Sequence, residues 1–193
     1  MNESKLQQLL KSQHRFFTSG ATLSYESRRR ALLTLKNAIL RHKKELAEAL
    51  YADLGKSEME SYMCETGSAL SELSWMLRHL KGLIRDKTVS TPLAQFAARS
   101  FRSPSPYGTV LVMSPWNYPV LLTLDPLIDA LAAGNTVIVK PSAYAPSTSF
   151  LLKKMIEESF PSEYVAVITG GRAENQALLK QHFDKIFFTG GSI

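Results

Sequence analysis

The chain of 193 residues carries 23 lysines and arginines against 17 aspartates and glutamates, a formal charge of +6, with 45% hydrophobic and 21% charged residues. That balance belongs to a folded globular protein and excludes a disordered chain, and no apolar run approaches the roughly 20 residues needed to span a bilayer. A single cysteine, Cys64, excludes an intramolecular disulfide and a cysteine-built metal site, and it points to a reducing, cytoplasmic setting.

The opening MNESKLQQLLKSQ is too polar for a secretory signal. Leu6, Leu9, Leu10, Phe16 and Phe17 recur at near-helical spacing until Ser19-Gly20 closes the stretch. Ser24 is an N-cap candidate for a second helical tract that carries Leu32, Leu35, Ile39, Leu46 and Leu50 to Gly55, with a break expected near His42. Most of the basic residues fall before residue 103. The densest run is Arg28, Arg29 and Arg30, but Glu45, Glu48, Asp53, Glu58 and Glu60 follow it without aromatic interleaving. A solvated helix face is therefore expected, not a nucleic-acid site.

A third helical tract spans 57–86, with Leu70, Leu73, Leu77, Leu80 and Ile84 on one face. From 87 to 105 the composition turns β-leaning and proline-punctuated, as in an exposed ribbon or linker. After it, short β-rich runs at 109–112, 136–139, 165–168 and 185–188 alternate with helix-like stretches at 120–133, 147–159 and 173–181. The expected architecture is α/β. It has a helical N-terminal arm (1–86), a short β ribbon (87–105) and a Rossmann-like open parallel sheet (106–193), incomplete in this chain.

In open parallel sheets ligands sit beyond the carboxyl ends of the strands, so the residues after each run are the candidates. Lys140 follows a strand directly and precedes Pro141-Ser142, so its ammonium can project over the crevice. Gly170-Gly171 and Gly190-Gly191 permit close approach of backbone N–H groups to a phosphate, although a glycine pair is more often only a tight turn. No complete G-x-G-x-x-G fingerprint is present. Pro115-Trp116-Asn117-Tyr118-Pro119 sets an aromatic and an amide between two prolines just after a strand. Such a rigid platform suits an electrostatic catalyst, whose donor must already point where charge develops. Equally open from spacing alone, Trp116 could be a core anchor and Asn117 a cap on the next helix.

The stretch SPWNYPVLLTLDPLIDALAAGNTVIVKPS, the terminal FFTGGSI and the ALYADLGKSE segment around Asp53 resemble the aldehyde dehydrogenase superfamily, closest to its class 3, fatty or aromatic aldehyde branch. The resemblance covers nearly the whole chain. It implies NAD(P)-dependent oxidation of aldehydes to carboxylic acids through a cysteine thiohemiacetal, in a homodimer, with NAD or NADP as cofactor. Asn117 matches the asparagine whose amide stabilises the oxyanion of that adduct. Lys140 matches the lysine that holds the adenosine ribose hydroxyls, with Ser142, Ala143 and Gly171 in the flanking cofactor loops. Met113, Ser114, Pro115 and Trp116 match the wall beside the nicotinamide end, and Thr189, Gly190 and Gly191 the loop at the pyrophosphate. Tyr118 falls where the aldehyde tunnel is lined.

Two positions depart from the family pattern. Ala143 stands where many members have a glutamate that bonds the ribose 2′-hydroxyl, which implies relaxed NAD/NADP discrimination. Gly191 stands where serine is common. The family's nucleophilic cysteine and general-base glutamate lie downstream of the loop in which the chain stops, so this fragment is expected to be inactive alone; the alternative is a non-catalytic truncated module that pairs with an intact subunit. The 87–105 ribbon matches part of the family's oligomerisation arm. Cys64, between Glu60 and Glu65 in an acidic setting, reads as structural. His14, His42, His79 and His182 show no metal-ligand spacing and read as surface or helix-end residues, and Glu157-Glu158 as a solvated face.

Overall fold

A computed structural model describes residues 3–191; Met1, Asn2, Ser192 and Ile193, which include the end of the FFTGGSI loop, lie outside the described residues. Four parallel strands, β3 (Thr109–Met113), β4 (Thr136–Lys140), β5 (Val165–Val167) and β6 (Lys185–Phe188), form the central sheet in the order β5-β4-β3-β6. A separate antiparallel pair, β1 (Lys87–Val89) with β2 (Ser100–Arg102), makes the ribbon.

The strands read as unbroken apolar runs because both faces of the sheet are covered. Val110, Val112, Val137, Val139, Val165 and Val167 point to one face. There they share a core with α6 (Leu121–Ala133) and α7 (Pro146–Glu157), over which α2 (Tyr25–Arg41), α3 (Lys43–Leu54) and α5 (Gly67–Leu83) pack. Leu111, Met113 and Ile138 point to the other face, against Leu6 of α1 (Glu3–Thr18) and Leu178 of α8 (Arg172–Leu179). Gln13 fixes α1 there: it is fully buried and its amide donates to Val137 O and Ser162 O, both at 3.0 Å. The exception is β6, an edge strand whose Ile186, Phe187 and Phe188 are exposed.

Local chemistry sets the element ends. The Ser24 hydroxyl accepts from Ser27 N at the start of α2, and Gly55 adopts the left-handed conformation that ends α3. The expected break at His42 is real. Its imidazole sits between Glu45 (3.0 Å) and Glu158 (3.2 Å) and ties the α2–α3 junction to the end of α7; Glu157 and Glu158 are both exposed, as expected of a solvated face.

One expectation needs correction. Arg28 is buried, not solvated: its guanidinium donates to Leu23 O (3.0 Å) and Ala132 O (3.3 Å), and burial lowers its pKa, while Arg29 and Arg30 do face water. The helical tract expected over 57–86 is present over 58–83, running through α4 (Glu58–Ser61), a π-helical turn over Tyr62–Thr66, and α5. Hydrophobic spacing cannot reveal one widened turn inside an otherwise helical pattern. Among the described residues, no helix is long and apolar enough to cross a membrane.

Candidate functional site

The sheet order reverses at β3, whose successors β4 and β5 add on one side while β6 adds on the other. A reversal of this kind opens a crevice at the carboxyl ends of the strands. A cleft of about 900 Å³ lies there, lined by the loops that leave all four strands. Met113, Ser114, Pro115, Trp116 and Asn117 come from β3, Lys140, Ser142 and Ala143 from β4, Gly171 from β5, and Thr189, Gly190 and Gly191 from β6. Every residue singled out for a cofactor is thus brought to one cavity. Tyr118 is not part of that lining; its ring lies under the Lys56 ammonium, 4.0 Å away. Arg172, in the loop that follows β5, lines the cleft as well; Leu122, Tyr144, Asn175 and Phe188 also line it and were not anticipated.

Lys140 is 3% exposed, and among the described residues its ammonium makes one hydrogen bond, to Pro141 O at 2.7 Å. An ammonium has three donors, so a nearly buried cation at the cleft wall keeps donor capacity unspent inside the protein. Burial pushes its pKa down, and the Glu174 carboxylate partly opposes this. Gly170 has φ +134°, and a Cβ there would overlap the Glu174 carboxylate, so this turn requires glycine. At Gly171 and Gly191 a Cβ would meet nothing within 4 Å, so both backbones border open space. Unspent cationic donors beside bare backbone suit a ligand with sugar hydroxyls and phosphates.

The helix N-termini around the cleft are already occupied. Glu65 Oε2 accepts from Val120 N and Leu121 N at the start of α6, each at 2.9 Å. Asp53 accepts from Ser147 N (3.1 Å) and Thr148 N (2.7 Å) at the start of α7, and Glu174 from Gly171 N (2.9 Å) at the start of α8. These bonds hold the Glu174 pKa down, its own backbone N–H first and that of Gly171 next. Carboxylates have taken the amides that in many doubly wound folds would receive a phosphate. Lys140, Arg172 and the Gly190-Gly191 loop are what remains for an anionic ligand.

Neither structural reading of the platform holds. Trp116 is 52% exposed and lines the cleft instead of anchoring the core. Asn117 does not cap α6, since Glu65 does so from 55 residues away, and its own main-chain oxygen accepts from Lys56 Nζ at 2.8 Å. No hydrogen bond engages the Asn117 side-chain amide among the described residues, and it stands exposed at the cleft. Beneath the platform, Ser114 Oγ pairs with Thr123 Oγ1 at 2.5 Å.

A sequence model of the aldehyde dehydrogenase family matches residues 1–193. The chain belongs to the aldehyde dehydrogenase family. Its class 3 relatives include the rat aldehyde dehydrogenase family 3 member B1, 40% identical over 98% of this chain and 40% of that protein. The structure of a Staphylococcus aureus AldH in a substrate-bound state superposes with a TM-score of 0.93 at 39% identity, over 95% of this chain and 40% of that one. The S. aureus betaine aldehyde dehydrogenase, solved in complex with NAD+, gives a TM-score of 0.82 at 25% identity, over 98% of this chain and 38% of that one. The chain spans about two fifths of the length of these relatives. Cys64, partly exposed on the π-helical turn, does not line its cleft.

Proposed function

We propose that this chain forms the cofactor-binding and oxyanion-stabilising part of an enzyme that oxidises aldehydes to carboxylic acids with NAD or NADP. The observation that carries this reading is the convergence of all four strand-end loops on one cleft that holds the under-bonded Lys140 ammonium and the unengaged Asn117 amide. The bound nicotinamide supplies a hydride acceptor. Lys140 donates to the adenosine ribose hydroxyls, with Ser142, Ala143 and Gly171 beside it. Met113 to Trp116 form the wall at the nicotinamide end, and the Thr189-Gly190-Gly191 backbone approaches the pyrophosphate. When the family's cysteine thiolate adds to the aldehyde carbon, negative charge moves onto the carbonyl oxygen, and the Asn117 side-chain N–H donates to it. Tyr118, next to Asn117 and outside the cofactor cleft's lining, is assigned to the aldehyde side.

With Ala143 in place of a carboxylate, nothing three residues beyond Lys140 repels a 2′-phosphate, and Arg172 adds a second cation to the lining. Relaxed discrimination between NAD and NADP follows. The ribbon leaves Leu93 and Phe96 about nine-tenths exposed, which supports its assignment to subunit contact in a homodimer.

The test compares a polypeptide that continues through the family's cysteine and glutamate with the 193-residue chain, using hexanal and benzaldehyde with either cofactor. The longer chain is expected to turn over. The short one, whose only thiol is off the cleft, is expected not to. Asn117→Ala in the longer chain should lower kcat by roughly 10²–10³-fold, the usual loss of one oxyanion donor. Turnover by the short chain, or an unchanged kcat after N117A, contradicts the reading.

A further inference from the structure

We propose that Lys56 and Glu65 are positioning residues for the oxyanion amide of Asn117, acting through its main chain; the proposal rests on the reading of Asn117 as that donor. The two form a buried ion pair, Lys56 Nζ to Glu65 Oε1 at 2.6 Å, with side chains 9% and 0% exposed. A buried pair of this kind is weak evidence for stability in itself, because desolvating two charges offsets most of their attraction. What distinguishes this one is where its remaining bonds go.

Lys56 spends a second donor on the carbonyl oxygen of Asn117 (2.8 Å) and lies over the Tyr118 ring. Glu65 spends its second oxygen on the amides of Val120 and Leu121. The pair therefore holds the turn at and after the residue whose side chain is left free, while before it Ser114 fixes the strand end through Thr123. Proline on either side restricts the backbone further. With its carbonyl held by Lys56, the Asn117 main chain carries its side-chain amide on an anchored turn, which is the preorganisation an oxyanion donor requires.

The local structure supporting Glu65 is unusual in the same place. Glu65 sits on the π-helical turn Tyr62–Thr66, and a Cβ on Gly67 would come within 2.5 Å of Tyr62 O, so the widened turn depends on glycine there. Single π turns recur at functional sites because they re-aim one side chain out of the helical register. Here the residue re-aimed into the interior is the one that holds α6 and Lys56.

The test uses Lys56→Met, Glu65→Gln, the double variant and Lys56→Arg. In the 15N-labelled 193-residue chain, K56M is expected to alter the Asn117 side-chain amide signals, and E65Q to speed hydrogen exchange at Val120 and Leu121. In the longer polypeptide, K56M/E65Q strands no charge, so it should melt close to the unmodified protein. Its kcat should still fall roughly ten- to hundredfold, as expected for a misplaced catalytic group, with KM for the cofactor unchanged. K56R, which keeps a cationic donor, should recover part of that loss. A double variant that regains kcat together with stability makes the pair merely structural and overturns the proposal, as do unaltered Asn117 signals in a folded K56M chain. If N117A itself leaves kcat unchanged, the reading of Asn117 fails instead, so the two failures are distinguishable.

Discussion

Lys140→Met removes an ammonium and keeps an unbranched stem of similar length, so it separates the cost of the charge to the fold from its use to a ligand. In the folded chain the ammonium has one internal bond, to its neighbour's carbonyl. Burial holds its pKa below the ordinary lysine value, so at neutral pH the fold bears a charged group it would rather lose. Deleting the charge forfeits that bond and relieves the desolvation, which leaves the melting point near or above the starting value, within about 1 kcal/mol. The sign against pH follows. With its folded pKa depressed, Lys140 disfavours the fold while charged in both states. The deficit relative to K140M shrinks as pH rises through the folded pKa toward the unfolded one. Affinity moves the other way. Losing a charge-assisted hydrogen bond worth ~1.5–3 kcal/mol weakens cofactor binding roughly ten- to hundredfold. Calorimetric titration with NAD+ beside thermal melts from pH 7 to 10 reads both effects. A K140M chain that melts several degrees lower yet binds NAD+ normally would refute the reasoning, since it would make Lys140 a stability residue and no ligand.

Asp125 and Asp129, one turn apart on α6, both have raised pKa values, from burial first and then from the nearby Glu72, and Asp125 Oδ1 is buried without a partner. Because the fold disfavours the ionised form, stability is gained as pH falls through the folded pKa; Asp125→Asn should raise the melting temperature at pH 8, with an advantage that fades by pH 4. Ala143→Glu restores a carboxylate beside the proposed ribose site, so NADP affinity should drop by roughly tenfold or more relative to NAD, read by competitive titration; an unchanged ratio removes Ala143 as the cause of relaxed discrimination.

The parallel sheet was legible because strands buried on both faces leave continuous apolar runs. The expected run 185–188 coincides with β6, and 136–139 falls one residue short of β4. Helix ends written in local chemistry, Ser24 and Gly55, were legible for the same reason. Arg28 was not, because its neighbours Arg29 and Arg30 face water and only tertiary packing buries it against Ala132. The strand-end rule assembled the cofactor loops, since those residues are consecutive to their strands. Lys56, Glu65 and Asp53 escaped it: they reach the cleft loops from the helical arm, at separations of 55 to 95 residues. The only trace of them was that Asp53 and Lys56 fall inside the family-like ALYADLGKSE segment, which carried no chemical reading of its own. A π turn has no periodic signature, so the element that aims Glu65 was invisible as well.

The most direct test is titration of the 15N-labelled chain with NAD+ under conditions where it is folded and monodisperse. Saturable shifts confined to the loops after β3, β4, β5 and β6, centred on Trp116, Lys140, Gly171 and Thr189 and largely lost in K140M, are expected. An absence of shifts at millimolar NAD+, or shifts spread over the β1–β2 ribbon and α1, would contradict the assignment of the cleft to a dinucleotide.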